Sequence, residues 1–368
     1  MSDELYALVE AYSDLGEHRT GTDVDTSTVA WFAGELERRG GRVERHDYTF
    51  DHYAATWSVT VGSETIPALP LFYEGTGSII GATPTVGSID AFAAMMGRPD
   101  HESFVETARK DGTGVVVLAT TGTLGGALAV PNRAPKQPHE IPVLLVEGAS
   151  KQRIAEEKVS VDIDTHIEEG RSANVVARFG NSDDPPLIVA TPLSGWFNCA
   201  GERGTGIAVT LEIAKRLADR TSVLVVGTTG HELIDLGLQR LLASQTFKPR
   251  AVLHVGACIA AMDAPGILST RRRCTASVGP ESRAPLTSAL DAIDVVPTSV
   301  PREDATDPSR WMGEAQEWCT LGVPLVSLTG YYPFFHTPKD VPAAATTPGL
   351  LTRTADALTE AAVLLSKL

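Results

Sequence analysis

Four apolar runs in the second half of the chain, PPLIVATPL, TSVLVVGTTG, RAVLHVGACIAAM and VPLVSLTG, constrain the fold more than any other feature. A run with no polar alternation suits a strand covered on both faces. Strands joined through helices run parallel, because the crossover needs a dozen or more residues. GTGIAVTLEIAKRLADR and HELIDLGLQRLLASQ read as such helices, ANVVARFG as a further strand, and TPGLLTRTADALTEAAVLLSKL as a closing amphipathic helix. The pattern predicts an α/β fold: a mostly parallel sheet covered by helices on both faces.

Ahead of these runs the texture differs. STVAWFAGELERRGG places Val29, Phe32 and Leu36 at helical spacing between a Ser/Thr start and a Gly-Gly stop, and GRVERHDYTFDHY alternates as a strand does. From about residue 56, short strands are broken by glycine and proline, with one helix at DHESFVETARKDG. The expectation is a catalytic domain of residues 1–55 and 169–368 interrupted by a β-rich insert, 56–168, which shapes access or mediates subunit contact in a homo-oligomer. His101, His139 and His166 stand alone within that insert and are expected at its surface.

Apolar residues at 43 % and charged residues at 21 % describe an ordinary globular chain. A formal charge of −15 disfavours nucleic acid and anionic membrane as partners, since both demand a basic face. MSDELYALVEAYSDLG carries acids where an export signal would be apolar, and no window reaches the roughly 18 apolar residues of a spanning helix. Cys199, Cys258, Cys274 and Cys319 lack paired spacing and are expected as reduced thiols of a cytoplasmic protein.

In open α/β sheets ligands bind beyond the carboxyl ends of the strands. Four polar groups of residues fall there: Glu202 in CAGERGTG, His231 and Glu232 in TTGHE, His254 in LHVG, and His336 in FFHTPKD. Together they make a nitrogen and oxygen donor set for a transition metal, usually zinc. A helical His-Glu-x-x-His motif is absent, because Asp235 stands four residues after His231. A Gly-x-Ser-x-Gly elbow and a phosphate loop are absent too. Each residue also has a plain structural reading. His254 suits a packed strand, His231 a helix cap, and Glu202 and Glu232 helix N-termini.

In order and spacing these segments resemble the zinc aminopeptidases of the aminopeptidase Y and S type, kin of the glutaminyl cyclases. LGEHRTGTDVDTSTVAWFAGELERRGGRVE is similar to the family's opening segment, and CAGERGTGIAVTLEIAKRLA to its Asp-Asn-Gly-Ser-Gly helix start. TTGHELIDLGLQ resembles the Glu-Glu segment, GVPLVSL the Gly-Ile-Pro strand, and FFHTPKD the closing Tyr-His-Thr-Pro-x-Asp motif. The stretch from IPVLLVEG to ARFG is similar to the end of an inserted protease-associated domain. The resemblance implies that the first metal histidine and its aspartate neighbour are replaced by Pro192 and Ser194, and the late metal aspartate by Gly256. It leaves Glu202, Glu232 and His336 as ligands of one zinc, or another divalent transition metal, per chain, with His254 as an alternative ligand. His231 takes the position of the general base, and Glu314 in WMGEAQEW falls where a ligand or the substrate is oriented. The implied activity is that of a metallopeptidase-like hydrolase, mononuclear, acting on an amide, a peptide-like compound or a small non-peptide substrate. GYYPFF and Trp196 suggest an aromatic-lined pocket. The alternatives are a degenerate scaffold serving binding or assembly, and a single-zinc cyclase or deaminase.

Overall fold

The four apolar runs are strands β1 (Leu187–Pro192), β2 (Val223–Thr228), β3 (Ala251–Val255) and β4 (Leu325–Thr329). The computed structural model describes residues 2–71, 77–90, 101–123, 128, 141–180 and 184–368. These divide into two compact units, one of residues 1–48, 171–335 and 340–368, the other of 49–170 and 336–339.

In the first unit β1 pairs in parallel with β2 on one side and β3 on the other, and β3 pairs in parallel with β4. Antiparallel strands flank this centre. Arg273–Ala276 lies beside β4, and residues 175–179 of the long strand Val159–Phe179 lie beside β2. The sheet is thus mostly parallel at its heart, and every residue of β1, β2 and β3 is buried. Alternate residues feed two cores. Val189, Val225 and Leu253 face one; Ile188, Leu224 and Val252 face the other.

Helices cover both faces. α1 (Ser2–Ser13), α2 (Asp23–Arg38), α3 (Thr205–Leu217) and α6 (Pro348–Leu365) pack on the first core. α4 (Leu236–Ser244) buries Leu238 and Leu241 in the second, with Trp311 and Trp318. α5 (Pro280–Asp291) packs against α6. α2 starts earlier than its apolar pattern suggests, because the Thr22 side chain accepts from Asp25 N at 3.2 Å and caps the helix there.

The second unit holds a four-stranded sheet. Thr85–Asp90, Val116–Thr121 and Val143–Glu147 run parallel, and Ala68–Pro70 runs antiparallel to Val143–Glu147. Strand Val159–Phe179 is far longer than ANVVARFG alone. Val159, Val161 and Ile163 are buried and alternate with polar residues, the period of a half-buried strand. His166 is exposed, but His101 is buried on the inner face of helix His101–Asp111 with Val105 and Ala108, at the helical spacing of four and three. His139 lies outside the described residues. All four cysteines are free and buried. Among the described residues no helix is long and apolar enough to cross a membrane.

Register brings Thr228 beside Pro192 and His254 between Ala190 and Ser327, so the loops after these strands leave from one edge. Asn174 fixes the loop after β2. Its Oδ1 accepts from Thr229 N at 3.1 Å, and its Nδ2 donates to Gly237 O at 2.9 Å. Gly237 is pressed so closely onto this turn that an added Cβ would stand 2.1 Å from Thr229 O and 2.8 Å from Asn174 Oδ1. Gly237→Ala is therefore expected to cost about 1–3 kcal/mol as overpacking. Urea denaturation checks it, and an unchanged midpoint would show that the turn relaxes freely.

Candidate active site

After β2 the chain turns through Thr229 and Gly230, makes a short 3-10 turn at His231–Leu233, and enters α4. Between turn and helix, Ile234 and Asp235 both have φ of 58°, in the left-handed region. A β-branched residue resists that conformation. The consequence is that the Asp235 carboxylate turns back to His231, with Oδ1 2.8 Å from Nδ1. From the other side Glu314 Oε1 stands 3.8 Å from the same nitrogen. Glu314 is 0 % exposed, and Thr228 Oγ1 lies 2.7 Å from each of its carboxylate oxygens.

These neighbours set the protonation of the cluster. Burial and the Arg203 guanidinium push the His231 imidazole down, yet the Asp235 and Glu314 carboxylates outweigh them and hold its pKa up at about 9. Burial raises Glu314, partly offset by its contact with His231. On β3, His254 Nδ1 lies 2.9 Å from Ser327 Oγ of β4, and burial drives its pKa down to about 3, so this ring is neutral.

A second network adjoins the first. Glu232 Oε1 accepts from Thr20 N at 2.6 Å, and Oε2 accepts from Ser194 Oγ at 2.8 Å. Ser194 Oγ also accepts from His231 N at 3.2 Å, and Ser194 O accepts from Arg203 Nε at 2.8 Å. Arg203 Nη2 then lies 2.7 Å from Glu202 Oε1, an ion pair with both side chains essentially inaccessible. Asp340 supports the tight π-turn Ala200–Gly204 by accepting from Glu202 N at 3.1 Å and from Tyr332 OH at 2.6 Å. Burial pushes the Asp340 carboxyl up to about 7.

Ser194 thus links Glu202, through Arg203, to Glu232 and to the backbone of His231, while Glu314 joins His231 through its side chain. His336 groups with the second unit, buried and at φ 58°. Trp196 and Tyr332 are buried, the latter in the first core. Two residues of the site escaped sequence reasoning. Asp235 was visible only as the failure of a zinc motif, although a His and an Asp four apart are a familiar side-chain pair. Arg203 sits inside GERGTG and carried no signal except its charge beside Glu202.

The carboxylates at the family's metal position do not fit zinc. Glu202 faces a permanent guanidinium, and each oxygen of Glu232 already takes a proton donor. A dication there would meet the charge of Arg203. Among the described residues the one set of three such groups with metal-ligand spacing is His231, Asp235 and Glu314.

No family model and no curated protein matches this chain. Solved structures do. A zinc aminopeptidase from Bacillus subtilis superposes with a TM-score of 0.72 at 13 % identity, over 99 % of this chain and 94 % of that one. A peptidase M28 precursor from Shewanella amazonensis gives 0.69 at 17 % identity, over 98 % and 92 %. An aminopeptidase from Aneurinibacillus gives 0.61 at 15 % identity, over 100 % and 94 %. At these identities the likeness is one of fold: a mixed α/β architecture of the zinc-aminopeptidase kind.

The Glu202–Arg203 pair makes a direct prediction. Removing one partner of a buried pair costs about 3–5 kcal/mol, because the other charge is stranded. Arg203→Met should lower stability by that amount in guanidinium denaturation, and adding Glu202→Gln should restore most of it. An Arg203→Met protein as stable as the parent would mean that Glu202 is not buried as an anion.

Proposed function

We propose that this chain is a hydrolase of amide or peptide-like bonds, with its reacting centre at His231, Asp235 and Glu314. One observation carries the reading: an imidazole held between two largely buried carboxylates, beyond the carboxyl end of a central parallel strand. The three groups surround one point with a nitrogen and carboxylate oxygens. Once the imidazole has given up its proton, such an arrangement can activate a water for attack on a carbonyl, directly or through a cation.

Three further features favour it. The fold is that of proteins described as aminopeptidases and peptidases. Five of the seven left-handed non-glycine residues among the described residues, Phe197, Cys199, Ile234, Asp235 and Cys258, sit in the loops after β1, β2 and β3. Such backbone strain costs about 1–3 kcal/mol per residue and gathers at functional sites. Ile234 and Met312, next in sequence to this centre, are exposed at 45 % and 39 %, which favours a substrate with an apolar group. The reading takes residues 1–55 and 169–368 as the catalytic part and 56–168 as an insert of protease-associated type that supplies no chemistry.

A second reading, a scaffold kept for binding or assembly, is favoured by the Glu202–Arg203 pair, which fills a position the resemblance gives to a metal ligand. A panel of aminoacyl and N-acyl amides separates the two. His231→Ala should lose about 10²–10⁴-fold in kcat/KM on whichever amide is cleaved, assayed well below an unfolding midpoint that falls because Asp235 and Glu314 lose their partner. A parent chain inert on the whole panel, or a His231→Ala protein of full activity, would remove the hydrolase reading or its centre.

A further inference from the structure

We infer that the first unit carries a binding site for one divalent transition metal, formed by His231, Asp235 and Glu314 with the His254 ring beside them, next to and not within the Glu202–Arg203 position. This deepens the hydrolase reading and rests on it only for what the metal would be used for.

The distances come first. One ligand atom from each of His231, Asp235 and Glu314 lies within 4.8 Å of the others. Donors that share an ion at bonds of about 2 Å stand about 3–4 Å apart. The separations from His231 Nδ1 are 2.8 Å to Asp235, just below that range, and 3.8 Å to Glu314, within it.

The orientation of the donors is the second observation. His231 Nδ1 is buried and faces both carboxylates without a well-aligned hydrogen bond to either. His254 is 1 % exposed, and its Nε2 likewise has no hydrogen-bond partner. The two rings flank Gly313: Cε1 of each lies 3.9 Å from where a Cβ on that residue would stand. Ser327 holds the far nitrogen of His254, and Thr228 holds Glu314, the outer-sphere support that orients metal ligands.

Gly256 gives the third. A Cβ there would stand 2.9 Å from His254 Cε1. The imidazole of His254 therefore occupies space that a side chain at 256 would claim, and brings a nitrogen donor there. Charge points the same way. Two carboxylates, 0 % and 7 % exposed, meet a single imidazole, while the neighbouring guanidinium is engaged with Glu202. Buried anions call for a counter-cation. One imidazole and two carboxylates are a donor set of the zinc or cobalt type.

The test uses Co²⁺ alone, titrated into the full chain after chelator treatment and followed by its visible d–d bands. The expected result is saturation near one equivalent, with the intense bands of a four- or five-coordinate ion. Asp235→Asn and Glu314→Gln should each weaken binding by at least about 100-fold, and His254→Gln by about 10–100-fold. Glu232→Gln should leave the affinity unchanged. Absence of binding overturns the inference, and so does loss of binding in Glu232→Gln with retention in Glu314→Gln. Because carboxylate variants can unfold, the unsubstituted protein supplies a second measurement. On adding Zn²⁺, imidazole ¹H–¹⁵N spectra should move His231 and His254; movement of His336 in their place overturns the site. Metal bound without hydrolysis of any amide would remove the proposed function and leave the site standing, whereas hydrolysis with no metal bound would do the reverse.

Discussion

Parallel pairing of β1 with β2 and β3 is the constraint on which the rest of the first unit depends. Parallel neighbours need crossovers, the crossovers put helices on both faces, and strands so enclosed must be apolar throughout. The same pairing aligns their carboxyl ends. With Thr228 beside Pro192 and His254 beside Ala190, polar residues banished from the strands collect in the loops at one edge. The site is where this sheet can place charged groups at all.

Concentrating charge there has an electrostatic consequence. Glu202, Glu232, Glu314 and Arg203 are each at most 1 % exposed, so every one needs a partner or donors. Ser194 is the joint that makes this possible. Its hydroxyl donates to Glu232 and accepts from His231 N, while its carbonyl receives Arg203. One residue thus ties the loops after β1 and β2 together. Arg203 neutralises Glu202, Thr20 N and Ser194 Oγ hold Glu232, and His231 alone faces both Asp235 and Glu314.

Holding that group in place depends on unusual backbone. Ile234 and Asp235 take left-handed φ, Gly230 does so at φ 76°, and Gly237 lies flat against Thr229. An ordinary helical turn would carry Asp235 onward with α4. The reversal brings its carboxylate back to His231, while Asn174 and Thr20 secure the turn by hydrogen bonds to Thr229, Gly237 and Gly230.

Much of this is legible in the sequence. Continuous apolar runs separated by helical periods require a parallel sheet covered on both faces. Strand ends then place Glu202, His231, Glu232 and His254 at one edge, and the WMGEAQEW segment points to Glu314. Local patterns suffice because burial on two faces and helix amphipathicity are set by neighbours in the chain. What each charged group faces is a different matter. The pairing of Glu202 with Arg203 follows from the π-turn at Ala200–Gly204, and that of His231 with Asp235 from two left-handed residues. Neither conformation has a period or a composition to betray it. The His254 ring beside Gly256 depends on the register of β3 against β4, a contact 73 residues apart in sequence between His254 and Ser327. Interactions at that range arise only when the strands are laid side by side, so the tertiary structure alone decides which partner each buried carboxylate and histidine faces.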